Sequence, residues 1–218
     1  MTEQIILPFS NFTEESNLIL RSDCNRAALK FLEAWPRNLN YIRVAILYGE
    51  KSAGKTTLLK YWLKCNSGLM IDSLKEFLLN SESYIDSYNC FALDNLIQSK
   101  FNQQHLFHLL NVCQNKTLLI TTDSIDFNSI FVLPDLISRL KSYPVIPIEK
   151  LDEMMARQLV IKTFSQQQLS IDVKVVDYII ENLELNYQNI SNLIDKLDKH
   201  SSLHKKKISL SLVKKFIP

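Results

Sequence analysis

Residues 49–56 read Gly-Glu-Lys-Ser-Ala-Gly-Lys-Thr, a complete G-x-x-x-x-G-K-T phosphate loop, and they hold two of the three glycines in the chain. A chain this poor in glycine places it where backbone must turn tightly or approach something closely. The preceding residues 41–48 are β-branched and apolar, which predicts a buried strand delivering the loop to a sheet edge. The segment after the loop reads as a helix, with Leu58, Leu59, Tyr61, Trp62 and Leu63 forming an apolar face behind Thr57. Strand, glycine loop and helix in that order point the amides of Gly49, Gly54 and the first helical turn at a phosphate. In such a loop Lys55 reaches the β and γ phosphates of a nucleotide, and Thr56 holds Mg²⁺.

The rest of the chain supplies more strands and helices in alternation. Residues 68–71 read as a short strand, and Asp72 or Ser73 is placed to cap a helix over residues 74–79. Residues 89–94 are a second buried strand. A helix carrying Leu106, Phe107, Leu109, Leu110 and Cys113 comes next, then a strand over residues 117–121. Residues 143–148, with Pro144 and Pro147, suit a terminal strand at a sheet edge. This order predicts an α/β fold with a parallel sheet covered on both faces. From Glu149 onward only helices are expected, over residues 153–167, 172–183, 189–203 and about 210–216, forming a small helical unit packed on the first part.

Hydrophobic content of 46% and charged content of 22% are ordinary for a soluble globular protein. No apolar run approaches the ~18 residues of a membrane span, and no leader pattern opens the chain, so a cytoplasmic protein with no membrane partner is expected. Cys24, Cys65, Cys90 and Cys113 are far apart and form no zinc set, which leaves reduced, buried core cysteines as the simplest expectation. The net charge of +2 is too small to make the whole chain a nucleic-acid binder. Lysines do gather at the C-terminal end, from Lys196 to Lys215; a solvated helix face explains them, and contact with phosphates is the other reading.

A strand ending in an acid supplies the second half of a nucleotide site, so Asp94 is placed to hold Mg²⁺ through water. The next residue is Asn95, whose amide cannot take a proton from an attacking water, and slow intrinsic hydrolysis is expected. Asp123 ends the next strand and either faces the γ-phosphate or caps a turn. His105 and His108 share a helix at ligand spacing but have no matching carboxylate or cysteine, so a metal pair is not expected. Arg139 lies between two strands; from bare spacing a surface salt bridge is expected, the alternative being an arginine finger offered to a phosphoryl group in another molecule.

Taken together, these residues resemble the AAA+ ATPases of the bacterial replication initiator (DnaA/Hda) family over essentially the whole chain. The segment from Ser22 through Ala28 to Pro36 looks like the family's S-N-x-x-A-L helix. Leu93-Asp94-Asn95 is similar to the I-D-N of the family's regulatory branch, where the initiators carry two aspartates. Residues 119–123 resemble the sensor 1 strand. The segment from Leu133 to Leu140 closely resembles the L-P-D-L-x-S-R-L box, and this lifts Arg139 above the salt-bridge reading. At the front, Gln4, Leu7, Pro8 and Phe9 look like the Q-L-x-L-P-L/F peptide that binds the DNA polymerase sliding clamp, an extended segment with one polar and two apolar anchors.

The resemblance implies an AAA+ P-loop domain over residues 11–148, a helical lid over residues 149–218 and a clamp-binding tail over residues 1–10. It implies ADP or ATP with Mg²⁺ as ligand, held by Gly49, Gly54, Lys55, Thr56, Thr57, Asp94 and Asp123. It further implies a regulator that meets the clamp and the initiator DnaA, offers Arg139 to DnaA-bound ATP, and so represses initiation. Gln188 stands where the family's sensor 2 arginine is usual, which removes a charge contact to the phosphates. No helix-turn-helix comes after the lid residues, so sequence-specific DNA binding is not expected. An autonomous P-loop ATPase such as a helicase loader is the alternative.

Overall fold

The computed structural model describes residues 19–97, 102–166, 171–204 and 208–217. The tail residues Gln4, Leu7, Pro8 and Phe9 lie outside the described residues.

The described elements run α1 (Asp23–Ala34), β1 (Val44–Tyr48), α2 (Lys55–Asn66), β2 (Leu69–Met70), α3 (Leu74–Leu79), α4 (Ser81–Ser87), β3 (Cys90–Leu93), α5 (Gln103–Val112) and β4 (Thr117–Thr122). They continue with α6 (Phe127–Ile130), α7 (Pro134–Ser142), β5 (Val145–Pro147), α8 (Glu153–Gln166), α9 (Val173–Asn182), α10 (Tyr187–His204) and α11 (Leu210–Val213). The five strands pair in the order β2-β3-β4-β1-β5, all parallel. The edge position expected for the proline-bearing strand is observed, since β5 pairs only with β1. Ser73 caps α3 by accepting from the Glu76 amide at 3.3 Å, as its position predicts.

Alternation along the strands sorts the core onto two faces. Val44, Ile46, Phe91, Leu93, Leu118 and Ile120 point to one side, where α3, α5, α6 and α7 cover them. Ala45, Leu47, Ala92 and Leu119 point to the other, where α1 and α2 pack. On that second face Trp35 and Trp62 stack with centroids 4.8 Å apart, and the Trp62 indole donates to the Trp35 carbonyl at 3.0 Å. Gly68 is required here: a Cβ would sit 2.6 Å from Leu63 and 2.8 Å from the Cys90 carbonyl. The helices after β5 extend the same apolar cluster through Leu151, Met155, Phe164, Ile179 and Ile190.

Asp152 fastens this helical segment to α1. Its carboxylate accepts from the Ser22 hydroxyl, from the Cys24 amide at 3.0 Å and from the Met155 amide at 2.7 Å. Burial alone would raise its pKa, but these hydrogen bonds outweigh it and hold the carboxyl below its ordinary value. Tyr187, at the start of α10, lies 3.5 Å from the Cys24 sulfur, and its burial pushes the phenol up.

Two expectations are corrected. Cys24, Cys90 and Cys113 are buried free thiols, with Cys113 pushed up to about 12 by burial, but Cys65 is exposed because it falls in the last turn of α2 beyond Leu63. The short helices α4, α6 and α7 go beyond the elements expected from periodicity; α4 buries no residue, and α6 and α7 bury one and two.

Candidate functional site

The phosphate loop joins β1 to α2 at the C-terminal edge of the sheet. Gly54 adopts φ +82, a left-handed conformation, and nothing lies within 4 Å of the position a Cβ would take. It is the N-cap of α2 and brings no side chain to the helix end, so the first-turn amides have no side-chain cap. Gly49 is held for a different reason, close packing: a Cβ there would lie 3.1 Å from Ile148. Lys55 is buried, and its ammonium donates to the carbonyls of Gly49 at 2.8 Å and Glu50 at 2.7 Å. Desolvation lowers its pKa, while the nearby charges of Asp123 and Asp94 oppose the shift. Uncapped amides, open space at Gly54 and one buried ammonium are the donor set a phosphate needs.

Asp94, just past β3, connects to this loop. Its carboxylate accepts from Thr56 Oγ1 at 2.6 Å and from Thr121 Oγ1. Thr121 Oγ1 in turn accepts from the Asn95 backbone N–H at 2.7 Å. Asn95 has φ +55, a conformation that asparagine tolerates better than most residues. Thr56 and Asp94 together present two oxygens suited to a hard cation such as Mg²⁺, directly or through water. Thr121, fully buried in β4, is the residue that sequence reasoning missed. The parallel register that sets Leu93 beside Ile120 carries Asp94 toward it, and a threonine pair closing the Leu-Leu-Ile run of a wholly buried strand was the available signal.

The helical segment reaches the loop from the other side. Ser52 Oγ donates to Gln188 Oε1 at 3.3 Å, and Gln188 Nε2 donates to Asn192 at 2.9 Å. A cavity of about 410 Å³ opens between them, lined among others by Glu50, Lys51, Lys150, Glu184, Asn186 and Gln188. Its two lysines face two glutamates and several amides, so it is polar but carries no strong net charge.

Arg139 stands apart from this cleft, on α7. Sequence spacing favours a salt bridge for it, and the structure shows none among the described residues. The guanidinium carbon instead sits 4.6 Å from the centroid of the Phe107 ring, and Nη1 donates to Asn111 Oδ1 at 2.5 Å. His105 and His108 lie on the same α5 helix, and no cluster of metal-binding side chains is found among the described residues. No described helix is long and apolar enough to cross a membrane.

No protein-family model matches the chain. It is 25% identical to the chromosomal replication initiator protein DnaA of Buchnera aphidicola subsp. Baizongia pistaciae, over 95% of this chain and 49% of that protein. The chain spans about half the length of the curated relatives it matches. Among solved structures it superposes on domain III of Thermotoga maritima DnaA with a TM-score of 0.70 at 18% identity, covering 91% of this chain and 95% of that one. It also superposes on AMPPCP-bound DnaA from Aquifex aeolicus with a TM-score of 0.62 at 20% identity, covering 85% of this chain and 65% of that one. The fold is therefore the AAA+ fold of DnaA type.

Proposed function

We propose that this chain is an Hda-like, nucleotide-binding regulator of replication initiation, which promotes hydrolysis of ATP bound to the initiator DnaA while tethered to the DNA polymerase sliding clamp. ADP or ATP binds at the loop of Gly49, Gly54, Lys55, Thr56 and Thr57, with Asp123 near the terminal phosphate and Mg²⁺ on Thr56 and Asp94. Thr56 and Asp94 would hold the metal, which would supply positive charge against the phosphates. Lys55 swings from its two carbonyls to the phosphates. Gln4, Leu7, Pro8 and Phe9 form the tether, and Arg139 is offered to the partner's triphosphate.

The observation that carries this reading is the mismatch between an intact binding loop and a weak hydrolytic set. Thr56 is joined to Asp94, yet Asn95 occupies the place of a general base and the residue that reaches the loop from α10 is the uncharged Gln188. Such a site retains a nucleotide without turning it over quickly, as suits a partner-directed role. The likeness to DnaA proteins, among them an AMPPCP-bound one, supports nucleotide binding and a place in replication. The complete loop would also serve an autonomous ATPase such as a helicase loader, and turnover by the chain alone separates the two. Hydrolysis of DnaA-bound ATP, measured with DNA-loaded clamp, tests the proposal: Arg139→Ala should lose about 10³-fold or more of the stimulation. Stimulation at the wild-type level by Arg139→Ala would refute it.

A further inference from the structure

Arg21, Arg26 and Arg157 each pair with a carboxylate, while Arg37 and Arg43 form no salt bridge among the described residues. Arg139 meets none among the described residues, although Asp135 stands four positions earlier on α7, the arrangement that favours an acid–base pair on a helix. It turns to α5 instead. Phe107 and Asn111 are themselves four residues apart, so they project from one side of that helix. The ring supports the guanidinium from its face and the amide oxygen takes one N–H. Both partners are neutral, so the cation is oriented while its charge stays uncompensated, and a guanidinium has five N–H donors of which this arrangement uses one. An aspartate at position 111 would hold the same N–H and cancel the charge.

A half-buried arginine placed for stability alone would be expected to take the carboxylate. We propose that Phe107 and Asn111 are positioning residues, which hold Arg139 extended from α7 with its charge intact for an anionic phosphoryl group on a partner molecule. This rests on the reading of Arg139 as a group that acts in trans. The physical gain is alignment: a displacement of about 1 Å in such a group costs on the order of 10² in rate. Phe107 restricts where the guanidinium lies, and Asn111 fixes the rotation of its plane.

The test uses the full chain, DNA-loaded clamp and ATP-bound DnaA, with hydrolysis followed against chain concentration and melting temperature measured for every variant. Asn111→Asp should melt at or above the wild-type temperature and keep the half-maximal concentration, yet lower the maximal rate about tenfold or more. Phe107→Leu should lower the maximal rate about threefold, in line with loss of a partly exposed cation–π contact. Phe107→Tyr, which retains a ring face, should restore most of that loss. If Asn111→Asp stimulates like wild type while Arg139→Ala does not, the positioning role is overturned and the trans role stands. If Arg139→Ala itself stimulates like wild type, both fall. Should Phe107→Leu fail to fold, Asn111→Asp decides the matter, because it is isosteric with the native residue.

Discussion

Ser52, at the tip of the phosphate loop, donates a hydrogen bond to Gln188 on α10, a residue 136 positions away in the chain. That contact joins the two parts of the molecule at the point where a nucleotide would lie between them. It also marks what the cleft lacks, since the side chain that reaches across is an amide rather than a cation. The buried positive charge of the phosphate loop is Lys55.

Lys55→Ala should weaken ADP binding about tenfold or more, because a charge-assisted hydrogen bond to phosphate contributes about 1.5–3 kcal/mol. The native lysine already gives up hydration to reach the Gly49 and Glu50 carbonyls, so moving it to phosphate costs little further desolvation. Isothermal titration of both proteins with ADP and Mg²⁺ checks this. Equal affinities would remove the loop from the nucleotide site.

Much of this site was legible because it is local. The phosphate loop, the acid just past β3 and the Ser73 cap are each set by residues within a few positions of one another. The contacts that give the site its character join distant segments. Thr121 meets Asp94 across 27 positions, Arg139 meets Asn111 across 28, and Ser22 meets Asp152 across 130. Periodicity reports which face of an element is apolar, but it does not report which side chains meet where elements cross. For Arg139 spacing pointed to the wrong kind of partner, since the helix offered Asp135 and the fold supplied a neighbouring helix instead. The short helices escaped for a related reason: α6 has four residues and buries one, too little for a helical period to show.

The proposed clamp tether makes a separate prediction. Gln4→Ala combined with Leu7→Ala should leave the melting temperature unchanged and abolish capture by the sliding clamp, because an extended peptide binds through its few anchors. Surface plasmon resonance against immobilised clamp measures this directly. Clamp binding as tight as wild type would place the contact elsewhere on the chain.

Asp152 gives a pH dependence with a definite sign. Its carboxyl is held below its ordinary value by Ser22, Met155 and Cys24, which outweigh the effect of burial. The stabilisation is therefore complete above the unfolded value of about 3.9 and is lost as pH falls through the lower folded value. Asp152→Asn should lower the melting temperature by a constant amount between pH 5 and pH 8 (roughly, given carboxylate pKa values), and the gap should narrow in more acid solution. The loss at neutral pH should be about 1 kcal/mol or more, as for other helix caps. A gap independent of pH would mean that the carboxylate charge contributes nothing to fastening α1 to α8.

The final prediction concerns Gln188 and Asn95 together, since the proposed weakness of intrinsic hydrolysis is assigned to both. Gln188→Arg would place a guanidinium beside Ser52 at the loop tip, where the native amide already reaches. A cation there should favour the more highly charged ligand, raising affinity for ATP over ADP by about tenfold. Asn95→Asp would restore a carboxylate beside Asp94, at a backbone position fixed by the Thr121 hydroxyl. General-base catalysis contributes about 10²- to 10⁴-fold, so the doubly substituted chain should turn over ATP at least tenfold faster than wild type without any partner. Steady-state phosphate release, with Lys55→Ala as the background control, measures the effect. If the double variant is no faster than wild type, the slow step lies outside these two positions. If the unmodified chain already turns over rapidly, the autonomous ATPase is the better reading of the same loop.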